Sequence, residues 1–146
     1  MKLFLPGGAG LVGLNLIYLL INDHPEWEII VVDKKKQSIE IAKNLFLSSN
    51  IIFLCEDLNN IKTTRWPLLI QDCDACVMLQ AEIGNKNNKE FWVNNVQSTE
   101  IVLNQLKKNK INRLVHVSSS VVNSVSKDLY TITKRKQEDL VIKGWE

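Results

Sequence analysis

Largely apolar residues fall in short runs at positions 2–5, 29–32, 51–54, 75–79 and 114–117, with Lys2 and His116 as their polar members. None shows the strict apolar–polar alternation of a sheet with one wet face, so the runs predict parallel strands covered on both sides. Longer stretches with helical spacing separate them: 11–21, 38–47, a weaker 62–70, 89–108 and 129–142. Strand and helix candidates alternating in this way imply right-handed crossovers and a parallel sheet sandwiched between helices. Lys107, Lys108 and Lys110 crowd the end of the 89–108 stretch, where cations favour the negative end of a helix dipole.

Composition narrows the class. The chain has 146 residues, 45% hydrophobic and 23% charged, which suits one globular domain. The longest apolar stretch, 11–21, is far short of the ~20 residues a membrane-spanning helix needs. The opening Met1-Lys2-Leu3-Phe4-Leu5-Pro6 is too brief for a secretion signal. A net charge of +2 gives no electrostatic case for nucleic acid or an anionic membrane. Three cysteines, an odd number, fit reduced thiols in a cytoplasmic protein better than a disulfide framework. Five strands and a final helix bring the chain to Trp145-Glu146, whereas doubly wound nucleotide folds commonly run to six strands with extra chain for substrate. Residues 1–146 are therefore expected to be the first part of something longer, a domain without the C-terminal part that such folds carry for substrate.

The first strand runs into Pro6-Gly7-Gly8-Ala9-Gly10-Leu11-Val12-Gly13 and then a helix, the strand–turn–helix context that a dinucleotide fingerprint requires. The loop satisfies G-x-G-x-x-G through Gly8, Gly10 and Gly13, and G-x-x-G-x-x-G through Gly7, Gly10 and Gly13. Glycines allow the turn and the close approach of backbone to a pyrophosphate, and the unpaired N–H groups opening the helix would receive its oxygens. No Lys-Ser/Thr follows, which excludes a P-loop. Asp33 ends the second strand twenty residues after Gly13. A carboxylate there accepts bonds from an adenosine 2′-hydroxyl and repels a 2′-phosphate, so the cofactor expected is NAD in preference to NADP. Lys34, Lys35 and Lys36 follow directly and would partly offset that repulsion.

Tyr130 and Lys134 lie four apart on the last predicted helix and share a face. A phenol ordinarily titrates near 10, and forming a phenolate at neutral pH takes roughly 4 kcal/mol. An ammonium ~4 Å away supplies about that much at an effective dielectric of 20, so the pair is suited to taking a proton from a hydroxyl that loses hydride. The fifth strand ends in Ser118-Ser119-Ser120, at the carboxyl edge where ligands of open sheets bind.

In this combination the chain resembles the extended short-chain dehydrogenase/reductase family, the NAD-dependent epimerase/dehydratase group, over essentially its whole length. The glycine loop is similar to G-G-A-G-F-I-G. Asp57-Leu58 resembles the Asp-aliphatic pair that holds adenine, and residues 74–81 resemble D-x-V-I-H-L-A-A. Asn95-Val96-Gln97-Ser98-Thr99 is similar to N-V-x-G-T, and the serines, Tyr130, Lys134 and Glu138 match the active-site pattern. The resemblance implies a Rossmann-type three-layer α/β/α sandwich with strand order 3-2-1-4-5. It implies that Tyr130 is the acid/base, that Lys134 bonds the nicotinamide ribose, and that Ser119 or Ser120 holds the reacting oxygen. Gly7, Gly10, Leu11, Val12, Gly13, Asp33, Asp57, Leu58 and Ala81 would line the cofactor.

The implied partner is a small-molecule substrate, a nucleotide sugar or related hydroxyl compound. A homodimer through the 89–108 and 129–142 helices is a further implication. Pro6 stands where the family has Thr, Met78 and Gln80 where His and Ala are common, and Val122-Asn123-Ser124 where V-Y-G is usual. About ten residues separate the serines from Tyr130, fewer than in sugar-nucleotide epimerases. The alternatives carried forward are a non-enzymatic dinucleotide sensor of the same fold and an NADP-linked reductase.

Other features read as structural. Cys73-Asp74-Ala75-Cys76 is C-x-x-C leading into a strand, not the helix N-terminus that activates a thiol, so Cys76 is expected buried and inert. His24 and His116 are far apart in sequence with no clustered ligands, so no metal is expected. Phe91, Trp92, Val93, Val96, Val102, Leu103 and Leu106 read as packing residues.

Overall fold

Successive residues of a strand point to opposite faces, and here both faces are covered. The computed structural model describes residues 1–84 and 87–145; Glu146, the expected end of the domain, lies outside them. The strands are β1 (Lys2–Pro6), β2 (Glu28–Asp33), β3 (Ile51–Cys55), β4 (Ala75–Met78) and β5 (Leu114–His116). They form one sheet in the order β3-β2-β1-β4-β5, all neighbours parallel. Leu5, Ile29, Val31 and Phe53 pack with Ile17 and Ala42 of α1 (Leu11–Asp23) and α2 (Lys36–Leu45). Their neighbours Phe4, Ile30, Val32, Leu54 and Met78 pack on the other side against Trp66 of α3 (Trp66–Leu69) and Val102, Leu103 and Leu106 of α5 (Ser98–Lys108). Leu140 and Val141 of α6 (Leu129–Gly144) join that second layer. The result is the Rossmann-type α/β/α sandwich with the expected strand order.

Four local expectations are corrected. The expected helix over 62–70 is only the single turn α3, because Asn60 Oδ1 accepts the Lys62 and Thr63 amides in a turn. Glu56 then accepts the amides of both Arg65 and Trp66, which starts the helix late. The 38–47 helix is shifted to Lys36–Leu45, with Phe46 extended.

The 89–108 stretch is not one regular helix: α4 (Asn88–Phe91) passes into a π-helical segment, Trp92–Gln97, before α5. The extra residue per turn rotates the face, so Asn94 and Asn95 are buried whereas Trp92 is exposed; Trp92 therefore does not serve as a core residue. Finally, β5 is an edge strand whose Val115 is 57% exposed, so it is not covered on both faces. Cys73 and Cys76 are buried with their thiols pushed up by desolvation, to about 12 for Cys73. Among the described residues no helix is long and apolar enough to cross a membrane, and no cluster of metal-ligating side chains occurs.

Candidate functional site

A cleft of about 380 Å³ opens over the carboxyl ends of the strands, within the size range of small-molecule sites. Its walls contain Gly7, Gly10, Leu11, Val12, Gly13, Asp33, Asp57, Leu58 and Ala81, all but one of the residues expected to line a cofactor; Lys134 is the exception. Gly7 has φ of +75° and its amide donates to the Val32 carbonyl at 2.8 Å, so the turn leaves β1 in a left-handed conformation. A Cβ on Gly7 would overlap the Gln80 backbone, and one on Gly13 would overlap the Gly8 carbonyl. The loop, the helix start and the β4 exit are therefore packed backbone on backbone. Gly10 caps α1 without a side chain, which leaves the amides that open the helix to whatever anion enters the cleft.

At the β2 end, Asp33 Oδ1 accepts the Lys35 amide at 3.0 Å. Lys34 is drawn sideways: its ammonium meets Glu90 Oε2 at 3.0 Å and Asn94 Oδ1 at 2.9 Å. The Lys34 bond foremost, and then the one that Asn94 Nδ2 donates to Glu90 Oε2 at 2.9 Å, hold the Glu90 carboxyl below its usual range. Lys36 lies 3.8 Å from Glu40. Asp57 Oδ1 accepts the Asn59 amide at 2.9 Å in a local turn that fixes Leu58 beside the cleft. Lys34 lines the cleft beside Asp33, and Ser38, Glu82, Ile83, Asn94 and Ser98, which were not anticipated as cofactor-lining residues, line it as well. Only the N-V-x-G-T likeness pointed toward that helix, and it gave Asn94 no part.

Asn95, fully buried, joins the two halves of the site. Its Oδ1 accepts the Glu82 amide at 2.6 Å, and its Nδ2 donates to the Glu82 carbonyl and to Thr133 Oγ1 of α6. Helix α6 itself starts at Asp128, which accepts the Thr131 amide at 2.8 Å.

Ser119, Ser120, Tyr130 and Lys134 lie outside the cleft lining. Ser119 Oγ accepts the Val121 amide at 3.4 Å and so caps the 3-10 turn that Ser120 begins. Tyr130 is half-buried. Lys134, only 2% exposed, donates to the Val117 carbonyl and to Gln137 Oε1; among the described residues neither bond goes to Tyr130. Burial pushes the Lys134 ammonium down to about 8, opposed by the Glu138 carboxylate.

Both ring nitrogens of His116 are buried with no partner among the described residues, and burial, with Lys134 second, pushes this imidazole down to about 4. The unfolded chain therefore binds a proton at His116 at a pH where the fold does not. The contribution of His116 is complete above pH 6.5 and fades as pH falls toward 4. The urea midpoint is expected to drop between pH 7 and pH 5, and His116→Leu to flatten that drop. An unchanged slope in the variant would remove His116 from the explanation.

The model of the NAD dependent epimerase/dehydratase family matches residues 3–140. The chain belongs to that family. A trifunctional UDP-glucose 4,6-dehydratase/UDP-4-keto-6-deoxy-D-glucose 3,5-epimerase/UDP-4-keto-L-rhamnose-reductase of Arabidopsis thaliana is 28% identical over 129 residues, covering 83% of this chain and 19% of that protein. UDP-glucuronic acid 4-epimerase from Bacillus cereus, solved in complex with NAD, superposes with a TM-score of 0.85 at 24% identity, over 99% of this chain and 52% of that one. The dTDP-glucose 4,6-dehydratase of Bacillus anthracis, also with NAD, gives 0.82 at 22% identity, over 99% and 50%. These superpositions are likenesses of fold. The chain spans about a fifth of the curated relative and half of each solved structure.

Proposed function

We propose that residues 1–146 act as the NAD-binding domain of an epimerase or dehydratase that works on a nucleotide sugar or related hydroxyl compound. The observation that carries this reading is the backbone-packed glycine cradle at the uncapped start of α1, with Asp33 across the same cleft. The residues fit the coenzyme. The α1 amides would hold a diphosphate, Asp33 an adenosine ribose, and Asp57 with Leu58 the adenine ring.

NAD, when bound, supplies a reversible hydride acceptor. Tyr130 would take and return the proton of the substrate hydroxyl, and Lys134 would hold a ribose hydroxyl while its charge favours the phenolate. Ser119 or Ser120 would hold the reacting oxygen; Ser119 Oγ already accepts the Val121 amide, which leaves its O–H to donate. Family membership supports the class of chemistry, and the names of the relatives support a nucleotide sugar.

Asp33 faces the cleft, Lys34 is held by Glu90 and Lys36 lies near Glu40. That arrangement supports NAD over NADP. Asp33→Ala is expected to weaken NAD about tenfold, the worth of one or two charge-assisted hydrogen bonds, and to narrow the preference over NADP. Calorimetric titration of both coenzymes checks this, and unchanged NAD affinity in the variant would discard the ribose assignment. A second reading, a dinucleotide sensor without turnover, is favoured by one observation: the Ser-Tyr-Lys set lies outside the cleft lining. Turnover of UDP-glucose or dTDP-glucose in the presence of NAD, read as epimerised or dehydrated sugar product, separates the two, since Tyr130→Phe abolishes it in an enzyme and a sensor never shows it.

A further inference from the structure

We infer that Gln137 is a positioning residue for Lys134: its side-chain amide, locked by Thr99 and the Gln80 backbone, fixes the ammonium and keeps it charged. Gln137 is 0% exposed, on the α6 turn that follows Lys134. Its Oε1 lies 2.5 Å from Lys134 Nζ. Its Nε2 donates to Thr99 Oγ1 at 2.9 Å and to the Gln80 carbonyl at 3.2 Å.

The direction of every bond in this chain is determined. Thr99 Oγ1 gives its own proton to the Asn95 carbonyl at 2.8 Å, so it can only accept from Gln137. The Gln80 carbonyl has no proton to give. The amide nitrogen therefore must face Thr99 and Gln80, and the amide oxygen must face the lysine. A flipped amide would set its NH2 against an ammonium and its oxygen against a carbonyl.

This arrangement matters because Lys134 is buried, and a buried ammonium without acceptors gives up its proton. Its acceptors are the Val117 carbonyl of the β5 exit at 3.3 Å and Gln137. The titratable groups acting on it are His116 from β5 and Glu138 from its own helix. His116 is neutral near pH 7, and only Glu138 favours the charge. Gln137 thus supplies a neutral, rigid acceptor that leaves one of the three ammonium protons for a ligand. Gln80 also lines the cleft, so the same chain of bonds couples the coenzyme wall to Lys134. The inference deepens the reading given above, because it concerns the ammonium that reading assigns to the ribose and the phenolate.

The test is an NMR titration of lysine side chains labelled with 13C at Cε in the full chain, with the Lys134 signal assigned by Lys134→Arg. Wild type is expected to titrate near 8. Gln137→Met, similar in shape but without an acceptor, is expected to fall by about one unit, a tenfold loss of ammonium at a given pH. Gln137→Glu, which keeps an acceptor and adds charge, is expected to rise. A merely structural role would lower the melting temperature without moving the Lys134 titration, and an unmoved titration in either folded variant overturns the inference. If Gln137→Met does not fold, the direction of the Gln137→Glu shift decides alone. NAD titration of the wild type runs alongside. Failure there with a moved Lys134 signal would reject the coenzyme reading and keep the Gln137–Lys134 coupling.

Discussion

Replacing Gly13 by alanine is expected to destabilise the fold by about 3 kcal/mol or more and to abolish measurable NAD binding. The added Cβ would overlap the Gly8 carbonyl oxygen, a backbone atom held between β1 and α1. Neither partner can rotate away as a side chain would. Relief requires α1 to lift from the loop, and that moves the amides proposed to hold the diphosphate. Gly10 provides the internal control, because its nearest atom to an added Cβ is the Gly7 carbonyl at 3.6 Å, ordinary contact. Gly10→Ala is expected to leave the urea midpoint close to wild type. Equal effects of the two substitutions would show that the loop is not packed as described.

Trp66→Ala is expected to lose about 3–5 kcal/mol, in the range of large buried aromatics. Trp66 is fully buried, and its ring stacks on Phe4 with centroids 5.6 Å apart and planes 8° from parallel. Its backbone amide, with that of Arg65, is held by Glu56, the residue directly before Asp57. The cavity would therefore loosen the turn that carries Asp57 and Leu58 as well as the core under β1. Denaturant unfolding measures the loss. A drop in NAD affinity in the still-folded variant is the accompanying result, and a variant with wild-type stability would contradict the packing.

The features that were legible in the sequence share a physical reason: they are local. Each strand is a run of apolar residues because both faces of a central parallel strand are covered, and Gly7, Gly10, Gly13 and Asp33 sit where one βαβ unit places them. The cleft gathers nine of the anticipated residues because they all lie at or just beyond the carboxyl ends of four strands.

What escaped depends on contacts across the sheet. Lys34 reads as one cation in a run of three, and its pairing with Glu90 spans 56 residues. The π-helical turn that buries Asn94 and exposes Trp92 breaks the 3.6-residue period on which the helix was read. The short length of α3 follows from Asn60 and Glu56, which lie before the 62–70 stretch and bond to its first amides. Gln80 stood out as a departure from the family pattern. Gln137 gave no signal, because Thr99 of α5 and the Gln80 carbonyl, which fix its amide, meet it only after α6 packs against them.

The central claim is that the cleft at the start of α1 receives NAD, and a 1H–15N NMR titration of the whole chain with NAD tests it most directly. The amides of Leu11, Val12, Gly13, Asp33, Leu58 and Ala81 are expected to shift together along one saturable curve, with NADP producing weaker shifts at the same sites. Silence of those amides at millimolar NAD, or shifts gathered on another face of the sheet, would contradict the account.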